Sequence, residues 1–239
     1  MVATPPSTPD AADSRARLLD AALRLFAEQG FAKTSIRQIA EAASVNTALI
    51  SYYFGDKKGL YTAAYNESFG GPLQASAGPD GQSLDLFLEQ FITGFMQPLH
   101  QGSRIELSMR LHFREMLDPT GLWQQELECE IKPMHAAMVQ VLCTAVGAAE
   151  PDEDVHRLAL SIGALPMQYY AHRDLIQQVC PSLADSPEGL TATTHRLIDM
   201  AHHLVAGEAQ RRRNAAVAAT SSNRRASTRR APPPEGDSL

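Results

Sequence analysis

Apolar residues recur at helical spacing along most of the chain, and no stretch of any length alternates with period two. The pattern predicts an all-α protein. Leu18, Leu19, Ala22, Leu23, Phe26 and Ala27 share one side of a helix over 14–29, and Gly30 is placed to end it. Ile36, Ile39, Ala40 and Ala43 mark the buried face of a short second helix, with Ser35 and Gln38 spaced as a capping box. Asn46 suits the start of a third helix that turns Val45, Leu49, Ile50 and Phe54 inward. Asp56 can cap a fourth helix over 57–69, which Gly70-Gly71-Pro72 would stop. A Gly/Ser/Pro/Ala-rich loop over 70–82 follows.

Beyond the loop, Ser83 can cap a helix with an apolar stripe of Leu84, Leu88, Phe91, Phe95 and Leu99 and a kink at Pro98. A helix over 104–116 comes next. Asp118-Pro119 predicts the start of a long helix reaching Val146, with Pro133 as a bend. Glu150-Pro151-Asp152 starts a helix over 153–178 interrupted near Pro166, and Ser186-Pro187-Glu188 starts the last, ending near Arg212. The expected organisation is a disordered segment 1–13, a three-helix helix-turn-helix domain 14–60, a second helical domain 61–213, and a disordered basic tail 214–239.

The third helix carries the clearest candidate chemistry. Its outward side shows Asn46, Thr47, Ser51, Tyr52 and Tyr53, with Lys57 just beyond. Small polar groups and tyrosines on one face suit base edges and phosphates in a major groove. Thr47, Ser51 and Tyr52 are placed near bases, and Ser35, Arg37, Tyr53 and Lys57 on phosphates. The tyrosines would otherwise pack a small core, but helix neighbours point about 100° apart, so both cannot be buried. With Thr34 and Ala48 included, the candidate DNA-binding set is Thr34, Ser35, Arg37, Asn46, Thr47, Ala48, Ser51, Tyr52, Tyr53 and Lys57.

The run YYF-x-x-K-x-x-LY after a helix-turn-helix resembles the DNA-binding domain of the TetR family of transcriptional repressors, over residues 15–61. Gly30-Phe31, Thr34, Ile39-Ala40, Tyr53-Phe54 and Lys57 fall at matching positions. Where the family commonly has glycine in the turn, this chain has Ser44, which reaches a left-handed conformation only at a cost. Farther on, RLHFREMLDPTGLW, IKPMHAAM and QYYAHRDLI are similar to the ligand-and-dimer domain of the CecR branch. The resemblance implies a repressor that binds a palindromic double-stranded operator as a homodimer and is released by a small-molecule effector. The competing expectation is a helical interaction or scaffold protein that keeps the head without ligand control. Candidate ligand-binding residues are His112, Arg114, His135, Tyr169, Tyr170 and Arg173. His112-x-x-Glu115 has the spacing of a metal pair, but such pairs are common on salt-bridged helix faces, and neither metal nor cofactor is expected.

Charge sharpens the picture. The net charge of −6 over 239 residues divides into +1 for 1–60, −12 for 61–210 and +5 for 211–239. Local charge governs phosphate contact, so an acidic body is compatible with a DNA-binding head. The tail's arginines are read either as solvated or as adding nonspecific DNA affinity. Cys129, Cys143 and Cys180 form no CxxC pair and are expected to be buried free thiols. The chain shows no apolar run of the ~20 residues that spans a bilayer, and its N-terminus is unlike a secretory signal, so a cytoplasmic location is expected. No nucleophile elbow, P-loop, dinucleotide fingerprint or HExxH is present, and no enzyme is expected. Leu158, Ile162, Leu165, Leu197, Met200 and Leu204 on the last two predicted helices are the expected dimer seam, as a four-helix interface.

Overall fold

The computed structural model describes residues 8–67 and 82–228. Among these residues it contains helices and turns and no strand. Helices α1 (Thr8–Gln29), α2 (Ile36–Ala42) and α3 (Ala48–Phe54) form the head, and α4 (Lys57–Glu67) leads out of it. The second unit contains α5 (Leu84–Met96), α6 (Ser103–Leu117), α7 (Leu122–Glu126), α8 (Lys132–Val146), α9 (Glu153–Ala171), α10 (Arg173–Val179) and α11 (Pro187–Thr228).

The head closes on Leu18, Ala22, Phe26, Ile39, Ile50 and Leu60, and α6 contributes Leu111 to the same cluster. A second cluster packs Leu88, Ile92, Leu142, Ile162, Leu197 and Ala201 from α5, α8, α9 and α11. Both clusters bury the stripes that periodicity identified. One exception is Ile36, which is exposed at the first position of α2.

Local chemistry explains the short helices. Ser35 Oγ accepts from the Gln38 N–H at 3.2 Å, and the Gln38 side chain accepts from the Ser35 N–H at 2.8 Å, completing the capping box. At the other end of α2, Ser44 N–H donates to Glu41 O and Val45 N–H to Ala40 O. That is a Schellman pair, and it forces Ser44 to φ +55°, a conformation that favours glycine. Asn46 Oδ1 accepts from Ala48 N–H at 2.8 Å and starts α3. Asp56 Oδ1 does the same for Gly59 at 2.8 Å in α4. A Cβ on Gly59 would sit 1.9 Å from the Phe54 carbonyl oxygen, so the tight junction of α3 and α4 requires glycine there.

Several expectations are corrected. α1 begins at Thr8, so residues 8–13 are helical and not disordered. α11 continues to Thr228, so 214–228 is helical as well. That stretch has no apolar face, but alanine and arginine are strong helix formers and extend a helix already nucleated. The expected loop over 70–82, apart from Gln82, lies outside the described residues, as do residues 1–7 and 229–239. Pro166 does not interrupt its helix. It is buried inside α9, where Val155, Leu158 and Ile162 hold the helix to the core, and the break falls later, at His172. Asp118-Pro119 does not start a helix either: Asp118 ends α6, and α7 begins at Leu122. Five π-helical residues, Leu127–Ile131, join α7 to α8 just before Pro133. Of the three free cysteines, only Cys143 is buried; Cys129 is exposed and Cys180 is half-buried.

Candidate nucleic-acid interface and core cavity

The exposed face of α3 and its preceding turn presents Asn46, Thr47, Ala48, Ser51 and Tyr52 to solvent, with Tyr52 74% exposed. Arg37 and Ser35 are exposed at the start of α2. Two members of the predicted set point elsewhere. Thr34 is 1% exposed, and its hydroxyl faces the carbonyls of Gly30, at 2.8 Å, and Leu25, at 3.2 Å. Its side chain staples the α1–α2 turn and points away from the exposed face of α3. Tyr53 is half-buried against the head core and meets the Tyr52 ring edge-on. Lys57 lays its ammonium 4.4 Å from the centre of the Phe31 ring, a cation–π contact that fixes where this charge is held.

The head is tied to the second unit through α1, α4 and α6. Arg114 Nε donates to Ala27 O and its Nη2 to Glu28 O, both at 2.7 Å, which places a cation on the carboxyl end of α1. Tyr61 of α4 donates its hydroxyl to Glu115 Oε2 at 2.8 Å. The other oxygen of Glu115 accepts from the backbone N–H groups of Thr120 at 2.8 Å, Gly121 at 3.1 Å, Leu122 at 3.0 Å and Trp123 at 3.3 Å. This carboxylate therefore caps α7 from the preceding helix. Burial pushes its pKa up, but the hydrogen bonds from Tyr61, Thr120 and Trp123 outweigh that and hold it below the usual carboxylate value. Burial and the carboxylate beside it push the Tyr61 hydroxyl well above its ordinary value.

A cavity of about 260 Å³ lies between α5, α6, α7, α8 and α9. Its wall is mostly methionine and aromatic: Met109, Met116, Met134, Met138, Met167 and Phe91, Phe95, Phe113, Trp123. His112, His135, Tyr170 and Glu126 supply the polar groups. The Tyr65 hydroxyl, one helical turn after Tyr61, donates to Glu126 Oε2. Burial raises Glu126 above its ordinary pKa, partly offset by the Tyr65 bond. His112 stacks on Tyr65, and burial lowers its pKa to about 4, so it is neutral at pH 7. Its 3.8 Å approach to Glu126 is therefore not an ion pair at that pH.

A second cleft, about 410 Å³, is lined by Arg114, Tyr169, Tyr170 and Arg173. The six predicted ligand residues thus divide: His112, His135 and Tyr170 line the apolar cavity, and Arg114, Tyr169 and Arg173 line the cleft, with Tyr170 touching both. The Arg114 guanidinium is committed to α1, and Arg173 pairs with Glu106 at 2.8 Å. Sequence reasoning missed the methionines and Glu126. Met134 and Met138, four apart on one helix, were the available signal.

A helix-turn-helix head, buttressed by an all-helical unit with an apolar cavity that opens to solvent at Met116 and Leu160, defines a DNA-binding regulator by architecture. The comparisons agree. The family model "Bacterial regulatory proteins, tetR family" matches residues 18–64, and "HTH-type transcriptional dual regulator CecR, C-terminal domain" matches 84–206. The chain belongs to the TetR family, with a C-terminal domain of the CecR kind. It is 29% identical over 173 residues to the HTH-type transcriptional dual regulator CecR of Shigella flexneri, covering 67% of this chain and 75% of that protein. It is 45% identical to the HTH-type transcriptional regulator BetI of Burkholderia thailandensis over 49 residues, 20% of this chain and 25% of BetI. A TetR-like transcriptional regulator from Rhodococcus sp. RHA1 shares the fold at TM-score 0.56 and 20% identity, covering 84% of this chain and all (100%) of that one. A transcriptional regulator from Aquifex aeolicus VF5 does so at TM-score 0.50 and 15% identity, covering 78% of this chain and 96% of that one. These regulators are not enzymes, and neither is this chain. No helix among the described residues is long and apolar enough to cross a membrane.

Proposed function

We propose that the protein is a ligand-responsive transcriptional repressor that binds a palindromic operator as a homodimer and releases it when a small molecule fills the methionine-lined cavity. The observation that carries this reading is the position of α4. It follows the α3 face directly, and its Tyr65 bonds the Glu126 carboxylate in the cavity wall. A ligand that changes the Glu126 environment therefore acts on the helix that sets the head's orientation. Its leverage equals its differential affinity for the two arrangements.

Dimerisation follows from the size of the reading surface. Seven residues of α3 bury too little for specific affinity alone, and two copies reading half-sites multiply the discrimination. The seam is placed on the outward faces of α9 and α11, where Leu160, Met200 and Leu204 are exposed. Leu158, Ile162 and Leu197, expected there from sequence, are buried in the protomer's own core, and Leu165 packs partly against it. The cavity favours this reading over a scaffold protein, whose second unit would need no such pocket. The site of action is the bacterial cytoplasm, where operator DNA lies. The Shigella relative is named a dual regulator, so activation at some promoters is compatible with the same head.

Electrophoretic mobility shift on DNA selected from a random library tests the proposal. Specific binding by the wild-type protein, weakened at least tenfold in Tyr52→Ala with helicity retained, supports it. Equal binding of selected and random DNA refutes it.

A further inference from the structure

Glu126 is the one carboxylate in the cavity wall, and no lysine or arginine lines the space. His112 is neutral, and burial followed by the neighbouring His156 lowers His135 as well. His112 Nδ1 lies 2.9 Å from the Ser108 carbonyl, which can only accept, so Nδ1 carries the proton and Nε2 is an acceptor. That nitrogen stands 3.8 Å from Glu126 Oε2. Both groups at the polar end of the cavity therefore accept hydrogen bonds.

An anion entering this space would meet a carboxylate with no cation to offset it. A neutral hydrocarbon would strip water from the carboxylate and return nothing. A ligand cation would neutralise it, and the surrounding aromatic faces would add attraction of the same sign.

Building on the cavity as effector site, we propose that its ligand is a small lipophilic amine whose ammonium pairs with Glu126 while its body lies among Trp123, Phe113, Met116 and Met134. The volume of 260 Å³ falls just under the range of roughly 300–1,000 Å³ for drug-sized ligands. One ring with a short aminoalkyl chain is the scale it fits. The amine also supplies the switch. Tyr65 donates to the same Glu126 oxygen, so an ammonium there competes with the bond that ties α4 to the cavity.

Trp123 is the chain's single tryptophan and lines the cavity, so its fluorescence reports occupancy directly. Three probes of matched shape separate the charge classes: phenethylamine, phenethyl alcohol and hydrocinnamate. The amine is expected to bind about tenfold more tightly than the alcohol, with hydrocinnamate weakest. In Glu126→Gln, which keeps an acceptor for Tyr65, the amine's advantage over the alcohol should vanish while alcohol binding persists. Hydrocinnamate binding as well as the amine, an undiminished amine preference in Glu126→Gln, or no response of Trp123 to any probe would each overturn the proposal. Mobility shift by the ligand-free protein, run on the same preparation, separates the two levels. Intact DNA binding without amine selectivity removes only the ligand class, whereas loss of specific DNA binding removes the regulator reading itself.

Discussion

The Tyr61 hydroxyl meets Glu115 Oε2 at 2.8 Å, joining the helix that leaves the DNA-binding head to the carboxylate that caps α7. Both residues are buried, so water does not replace the bond when it is cut, while the Thr120 hydroxyl, 3.1 Å from the same oxygen, stays as a donor. Tyr61→Phe should cost about 1.5–2 kcal/mol of unfolding free energy, the low end of the range for a hydrogen bond to a charged acceptor. Glu115→Ala should cost more, about 3 kcal/mol, because it also leaves four backbone N–H groups unpaired. Urea titration of both variants checks the order. Equal losses would mean that the cap on α7 contributes nothing.

Ser44 sits at φ +55° in the turn between α2 and α3. Non-glycine residues pay roughly 1–2 kcal/mol there, while glycine loses about 0.5–1 kcal/mol more backbone entropy on folding. Ser44→Gly should therefore stabilise the head slightly, by less than about 1 kcal/mol. Ser44→Val, β-branched at positive φ, should destabilise it by at least as much. Thermal melts of the pair decide the matter, and a valine variant as stable as the glycine one would contradict the strained turn.

His112 gives the fold a pH dependence. Its folded pKa, about 4, lies below the unfolded value of 6.5 because burial disfavours the charged ring. Between those values the unfolded chain binds the proton and the folded one does not, so stability falls as pH drops through this window. The loss is at most about 3 kcal/mol. Glu126, raised by burial, works in the opposite direction. A His112→Gln variant should thus lose less stability than wild type between pH 6.5 and 4. NMR titration of the His112 ring with a midpoint near 6.5 would refute the depressed pKa.

Leu204→Glu, on the exposed side of α11, should convert a dimer into a monomer without unfolding it. Light scattering should give twice the 26.0 kDa chain mass for wild type and the single mass for the variant. A wild-type monomer at micromolar concentration would rule out the α9–α11 seam.

Much of the fold was legible because local rules decide it. The Ser35–Gln38 capping box, the Asp56 cap and the apolar stripes of α1 and α5 all appear where spacing puts them. What sequence missed was nonlocal. Glu115 caps a helix that starts seven residues later, and no local motif encodes that use of a carboxylate. Thr34 entered the candidate DNA-binding set by its place beside Ser35, yet two backbone carbonyls turn it inward. Arg211 and Arg212 read as tail charges, but they pair with Asp154 and Asp152 at the start of α9, 57 and 60 positions away. The interior stripe of α9 was mistaken for a seam because periodicity identifies a buried face without saying what buries it.

Selection of bound sequences from random double-stranded DNA, carried out in parallel with wild type and Tyr52→Ala, bears most directly on the function proposed here. Tyr52 is 74% exposed on α3 and contributes nothing to the head core, so its loss should spare the fold. Wild type should enrich one motif made of two inverted half-sites, and Tyr52→Ala should enrich it weakly or not at all. Enrichment of the same motif to the same extent by both proteins, or of no motif by either, would contradict DNA reading by this face.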